Sequence, residues 1–191
     1  MMWTMDKVQE MYKEKSDMSF LFFWGHRKSK DGYIMKSCLS QWWKCHFSDG
    51  ENEYTSTEKY MMSEKAKLFG DLELQAKIIT SEDPKEIKHF GRQIKNFEQA
   101  TWDAEKREIV TKGNYLKFTQ DNELRHYLLA TGNNILVEAS PVDVIWGVGL
   151  AENDPTITNP LLWRGENLLG FALMDVREQI LSEAKSMTVF D

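Results

Sequence analysis

Apolar and polar positions follow a helical rhythm along most of this chain, interrupted by a few short apolar runs. A weak rhythm through Val8, Met11 and Tyr12 predicts a loosely docked N-terminal helix within residues 1–17. Phe20-Leu21-Phe22-Phe23-Trp24 is a continuous apolar run of strand length, and reads as a buried strand. An Asp49-Gly50 turn between polar flanks predicts a small hairpin over residues 45–54. From Ser56 the pattern turns helical, with hydroxyl cap candidates at Thr55-Ser56-Thr57 and no Gly or Pro before Gly70. A short helix is expected over residues 72–79. Asp83-Pro84 supplies a cap and a first-turn proline for the next, which stops at Gly91 or slightly later. A longer helical stretch spans about residues 97–118, weakened at Gly113. Residues 123–130 form another, ended by Gly132. Ile135-Leu136-Val137-Glu138-Ala139 reads as a strand. A loop rich in Gly, Asn and Pro then runs over residues 141–165, before a last helix starting near Glu166 with Leu169, Leu173, Val176 and Ile180 at helical spacing. The fold class is therefore mainly α with a few short β-strands, in a single compact domain without βαβ alternation or internal repeats. The expected boundaries are an N-terminal extension over 1–17, the domain over 18–186 and a tail over 187–191.

Composition narrows the function classes. The chain has 191 residues, is 41% hydrophobic and carries a net charge of −6, which suits one globular domain with a sizeable core. An acidic balance argues against gripping bulk nucleic acid through a basic face, while leaving room for a local basic pocket. Cys38 and Cys45 form no CxxC pair, and His26, His46, His89 and His126 lack metal-ligand spacing, so neither a disulfide framework nor a metal site is expected. No segment approaches a transmembrane span or a leader pattern, which points to a cytoplasmic protein.

Two regions carry candidate chemistry. Glu58 and Lys65 are seven positions apart in the helix after Ser56, separated by about 20° around its axis and roughly 10.5 Å along it. An acid and an amine thus share one face with Tyr60, Met61 and Met62 nearby. Against this stands the capping box Thr55-x-x-Glu58, in which the glutamate only satisfies an orphan backbone donor; spacing alone favours the cap. The second region is the long loop, since loops of this length inside compact domains are usually functional. It holds Asp143, Trp146, Gly147, Gly149, Asp154, Trp163 and Arg164: an aromatic plane, carboxylates, glycines and a guanidinium, suited to a base, a ribose and a phosphate. Each also has a plain structural use, in turns, core packing or surface ion pairs.

The blocks TSTEKYMMSEKAKLFGD, LLATGNNILVEASPVDVIWGVGL and NPLLWRGENLLGFALMDVREQI resemble the NADAR, or YbiA-like, family over roughly residues 20–182. The resemblance implies a multihelical YbiA-like fold and an N-glycosidase. Some family members resemble enzymes acting on phosphoribosylamino-pyrimidine intermediates of riboflavin synthesis, and others resemble enzymes removing ADP-ribose from guanine in nucleic acid. Position by position, it implies a catalytic Glu58 and helix lysine Lys65. The aspartate and tryptophan of a D-x-x-W-G element fall on Asp143 and Trp146, followed by Gly147. Asn167 and Gly170 match an Asn-x-x-Gly near the last helix, and Gly91-Arg92 a Gly-Arg pair. Two positions depart from the family pattern: Lys59 stands where His or Gln is usual, and Gln41 follows Ser40 where Asn is common.

Both implied substrates join ribose C1 to an exocyclic amine of a base and carry a 5′ phosphate or diphosphate. Cleavage needs a proton on the departing nitrogen, assigned to Glu58 as general acid, and support for an electron-poor C1, assigned to Asp143. Lys65 has two open roles, holding phosphate as a point charge or forming a transient Schiff base. Trp146 is expected to stack on the base, with Arg92 and Arg164 as weaker phosphate candidates and Trp102 and Trp163 as structural. No metal or organic cofactor is implied. The expected partner is a small nucleotide-like or ADP-ribosylated guanine substrate, with transient nucleic-acid contact compatible and no membrane; oligomeric state is not encoded in these motifs. The alternative from another class is a non-catalytic module that binds ADP-ribose or a related nucleotide.

Overall fold

The computed structural model describes residues 2–15, 17–27, 29–31 and 33–188. In chain order the regular elements are α1 (Met5–Lys13), β1 (Phe20–Phe23), β2 (Phe47–Ser48), β3 (Glu53–Tyr54), α2 (Thr57–Leu68), α3 (Leu72–Thr80), α4 (Pro84–Gly91), α5 (Gln99–Gln120), α6 (Asn122–Ala130), β4 (Ile135–Glu138) and α7 (Leu168–Thr188). Short 3₁₀ turns lie at Lys36–Leu39 and Pro160–Leu162. The architecture is the mainly α one expected, with only a few short strands. Internal contacts group the chain into two compact units, Met1–Ser40 with Glu123–Asp191, and Gln41–Asn122. Among the described residues no helix is long and apolar enough to cross a membrane.

In the unit Gln41–Asn122, β2 and β3 pair antiparallel around the expected turn. Asp49 Oδ1 accepts the N–H groups of Glu51 and Asn52, and Gly50 supplies the positive φ the turn requires. Helix α2 begins where Ser56 Oγ accepts the N–H of Lys59 at 3.1 Å, and it ends at Gly70 with φ 72°. It packs against α3, α4 and α5. The core there is built from Ala66, Phe69, Leu74, Ile78, Ile87 and Ile94, flanked by Trp42, Met62, Leu68, Phe90 and Trp102. Asp83 caps α4 with Pro84 in its first turn, as expected, and Asp71 caps α3. Helix α5 runs unbroken through Gly113, contrary to the weakening expected there. A Cβ at Gly113 would lie 2.5 Å from the Tyr60 ring, so the glycine lets α5 approach α2 rather than interrupting it.

In the other unit, β1 and β4 pair in parallel, Phe20 opposite Ile135 and Phe23 opposite Glu138. Helix α7 packs on β4 through the buried Leu169, Leu173, Val176 and Ile180. Arg177 extends the clamp, donating to Thr131 Oγ1 at 2.7 Å and to the Asn134 carbonyl. Helix α1 is tied down more firmly than its weak rhythm suggests. Val8 is fully buried, and Trp3 donates its main-chain N–H to Asp175 Oδ1 and its indole N–H to Glu178 Oε1. Helix α7 reaches Thr188, while residues 189–191 of the expected tail lie outside the described residues.

Candidate active site

Helix α2 presents Glu58 from its first turn. The cap is Ser56, which makes Glu58 the second helical residue and sets aside the Thr55 capping box. The N–H of Glu58 is instead taken by the carbonyl of Gln41 at 2.9 Å, and the same carbonyl accepts Thr57 Oγ1–H at 3.1 Å. Main-chain and hydroxyl groups thereby satisfy the helix start, and the Glu58 residue is 8% exposed. Lys59, the family departure beside it, is 1% exposed and places its ammonium 2.9 Å from Glu82 Oε1. Stem and head are both buried, and the charge is met by the carboxylate of Glu82.

Lys65 lies on the face of Glu58 two turns on. Its Nζ donates to the Gly91 carbonyl at 3.2 Å and sits 4.4 Å from the centre of the Phe97 ring and 5.3 Å from that of Trp102. Burial pushes its pKa below the ordinary lysine value, while the nearby negative charge of Glu58 pulls it back up. The two groups therefore sense each other electrostatically, as their spacing predicts. The rings that flank Lys65 were not anticipated in this role. Phe97 marked only a helix start and Trp102 only a structural position, and nothing in linear spacing announces that α5 and the turn before it bring these rings to Lys65. Trp102 does pack on the helical core, so it serves both purposes. Arg92 caps α4 through its main chain and keeps an exposed side chain.

The remaining predicted residues belong to the other unit. Asp143 Oδ1 accepts the N–H groups of Ile145 at 3.0 Å and Trp146 at 2.8 Å, closing a turn. This backbone task was not foreseen for Asp143, although an Asp two or three residues before the donors is the usual signal. Trp146 is half-buried, flanked by the exposed Val142, Val144 and Ile145. Gly147 passes so close to β4 that a Cβ would lie 2.8 Å from the Glu138 carbonyl oxygen. Asn167 is fully buried at φ 53°, accepts the N–H of Glu138 at 3.0 Å and donates to the Leu136 carbonyl at 2.9 Å. It staples the start of α7 to β4, and Gly170 beside it leaves no space for a side chain against the same carbonyl. Arg164 is exposed, its N–H bonded to the Val148 carbonyl. Trp163 is anchored by its indole N–H on the Ile157 carbonyl and by edge-on contact with Phe20.

Helix α2 thus carries a buried glutamate and a half-buried lysine on one face, and a tryptophan-bearing loop lies elsewhere in the chain. The chain belongs to the NADAR domain family, whose pattern it matches over residues 22–181. It is 43% identical over 165 residues to N-glycosidase R617 of Acanthamoeba polyphaga mimivirus, covering 84% of this chain and 95% of that one. It is 30% identical over 146 residues to a riboflavin biosynthesis protein of Vibrio vulnificus (strain YJ016), covering 76% of this chain but 36% of that longer protein. The solution structure of the Escherichia coli protein YbiA superposes with a TM-score of 0.69 over 87% of both chains at 25% identity. N-glycosidase activity is thus represented in the family to which the chain belongs.

Proposed function

We propose that this protein is an N-glycosidase that hydrolyses the bond between ribose C1 and an exocyclic amine of a base. The observation that carries this is the pairing on α2: a buried carboxylate and an amine whose pKa burial lowers, within electrostatic reach of each other. Glu58 gives its proton to the departing nitrogen as the C1–N bond breaks, a contribution worth typically about 10²–10⁴-fold. Lys65, in its neutral form, bonds C1 through Nζ and then gives up two protons, one returning to the Glu58 carboxylate and one passing to the ring oxygen as the sugar opens to an imine. Water then hydrolyses the imine, releasing the sugar and restoring the amine. The lowered pKa favours this covalent role over phosphate holding, because only the neutral amine is a nucleophile. Proton and nucleophile both come from side chains, so the step asks for no metal.

Asp143 supplies the second carboxylate, through the oxygen its turn leaves over, and Trp146 the plane for the base. Arg92 and Arg164 offer charge to the phosphate, while Gly147 and Asn167 shape the chain around Trp146 and β4. The substrate is either a phosphoribosylamino-pyrimidine, the class the Vibrio relative's name favours, or an ADP-ribosylated guanine. Incubation with each, followed by mass spectrometry, should reveal free base and sugar phosphate or ADP-ribose from at least one. Tight binding of both without release would replace the enzyme by a nucleotide-binding module.

A further inference from the structure

Helix α2 is held at its start by a residue that is itself held by an unusual contact. Gln41 is 6% exposed, and its Oε1 accepts from Asn114 Nδ2 at 2.9 Å; Asn114, on α5, is fully buried. Asn114 Nδ2 also donates to the Val110 carbonyl at 2.9 Å. A carbonyl can only accept, so the Val110 contact fixes which end of the Asn114 amide is nitrogen, and this in turn fixes the orientation of Gln41. What remains is a donor, Gln41 Nε2, and an acceptor, Asn114 Oδ1, both buried and without a hydrogen-bond partner among the described residues. Buried polar groups left unpaired are costly, and two apolar side chains would fill this space without that cost. An expense of this kind is expected where geometry matters more than stability.

Resting on the assignment of Glu58 as the acid, we propose that Asn114 is a positioning residue for Glu58, acting through Gln41. Asn114 pins the Gln41 side chain. The Gln41 carbonyl pins the N–H of Glu58 and the hydroxyl of Thr57. The path from α5 to the main chain of Glu58 runs through three hydrogen-bonded residues, all within one compact unit.

The test compares Asn114→Ala, Gln41→Met and the double variant. Gln41→Met keeps the carbonyl and removes only the amide, which guards against a misfolded Asn114→Ala. Each single variant should lower kcat about tenfold with KM little changed, and the double should be no worse than either single, because the two act as one unit. Amide hydrogen exchange at Glu58 should accelerate in both variants relative to Ser63 in the interior of α2. Unchanged kcat well below the melting temperature, additive losses, or uniform acceleration of α2 would each overturn the proposal. The exchange measurement needs no substrate. If Glu58→Gln proves fully active, the acid assignment fails, and exchange at Glu58 still decides whether Asn114 positions it.

Discussion

On α2 the main chain is completed by its own helix, by Ser56 and by the Gln41 carbonyl, and the ionisable side chains project from a scaffold already satisfied. In the loop between β4 and α7 the opposite holds: Asp143 and Asp154 spend side-chain oxygens on backbone N–H groups of the loop itself, and Asn167 spends one on the end of β4. The difference follows from hydrogen-bond accounting. A helix meets its own demand except at its ends, whereas a loop pressed against buried strands must recruit side chains. One region displays its chemistry; the other consumes much of it to exist.

The strongest way to sharpen this contrast is to strip the displayed groups. Lys65→Arg should abolish turnover while leaving the fold intact, since a guanidinium that stays protonated cannot form an imine. Borohydride added during turnover should trap a sugar on the peptide holding Lys65. For the native protein, the activity limb set by Lys65 should rise with pH and level off below the ordinary lysine value of about 10.4, because burial lowers this pKa. The same sign makes the native state less penalised as pH climbs between the lowered and the ordinary value. No adduct together with an active Lys65→Arg variant would return Lys65 to phosphate holding.

Glu58→Gln comes next, with kcat expected to fall about 10²–10⁴-fold, or roughly 2.7–5.4 kcal/mol in barrier. Melting temperature and ligand affinity should hold, because the Glu58 main chain, not its carboxylate, is what Gln41 grips. Near-normal activity would move the proton donor to another group.

These predictions were within reach of the sequence because helices advertise themselves by period. The cap Asp83, the stop at Gly70 and the shared face of Glu58 and Lys65 all follow from local rules. The parallel pairing of β1 with β4 does not, since nothing local in Phe20 and Ile135 encodes a partner so distant in the chain. The aromatic surround of Lys65 and the Gln41–Asn114 contact were equally hidden, because both depend on how α5 and the turn before it come to lie against residues distant in the chain. Asn167 was visible as a motif position but not as a staple, a role set by its φ of 53° and its two bonds to β4.

The consumed groups should fail differently. Asn167→Ala loses both bonds to β4, strands the buried Leu136 carbonyl and the half-buried Glu138 N–H, and forces alanine into the left-handed region. Denaturant unfolding should show a loss of about 2–4 kcal/mol. A variant of normal stability that nonetheless lost activity would break the contrast, by making Asn167 a displayed group.

Asp143 straddles the two behaviours, and its smallest change is the most discriminating. Asp143→Asn keeps an Oδ1 to accept from Ile145 and Trp146, so the turn should survive and the melting temperature should not move. Only the charge is removed. If the carboxylate also steadies an electron-poor C1, kcat should fall about tenfold, equivalent to roughly 1.4 kcal/mol, with KM nearly constant. Asp143→Ala would then add a separate loss of stability by opening the turn. Full activity in Asp143→Asn would assign Asp143 wholly to the backbone, and leave the chemistry of the chain to the one element that needs none of its acid and amine to stay folded.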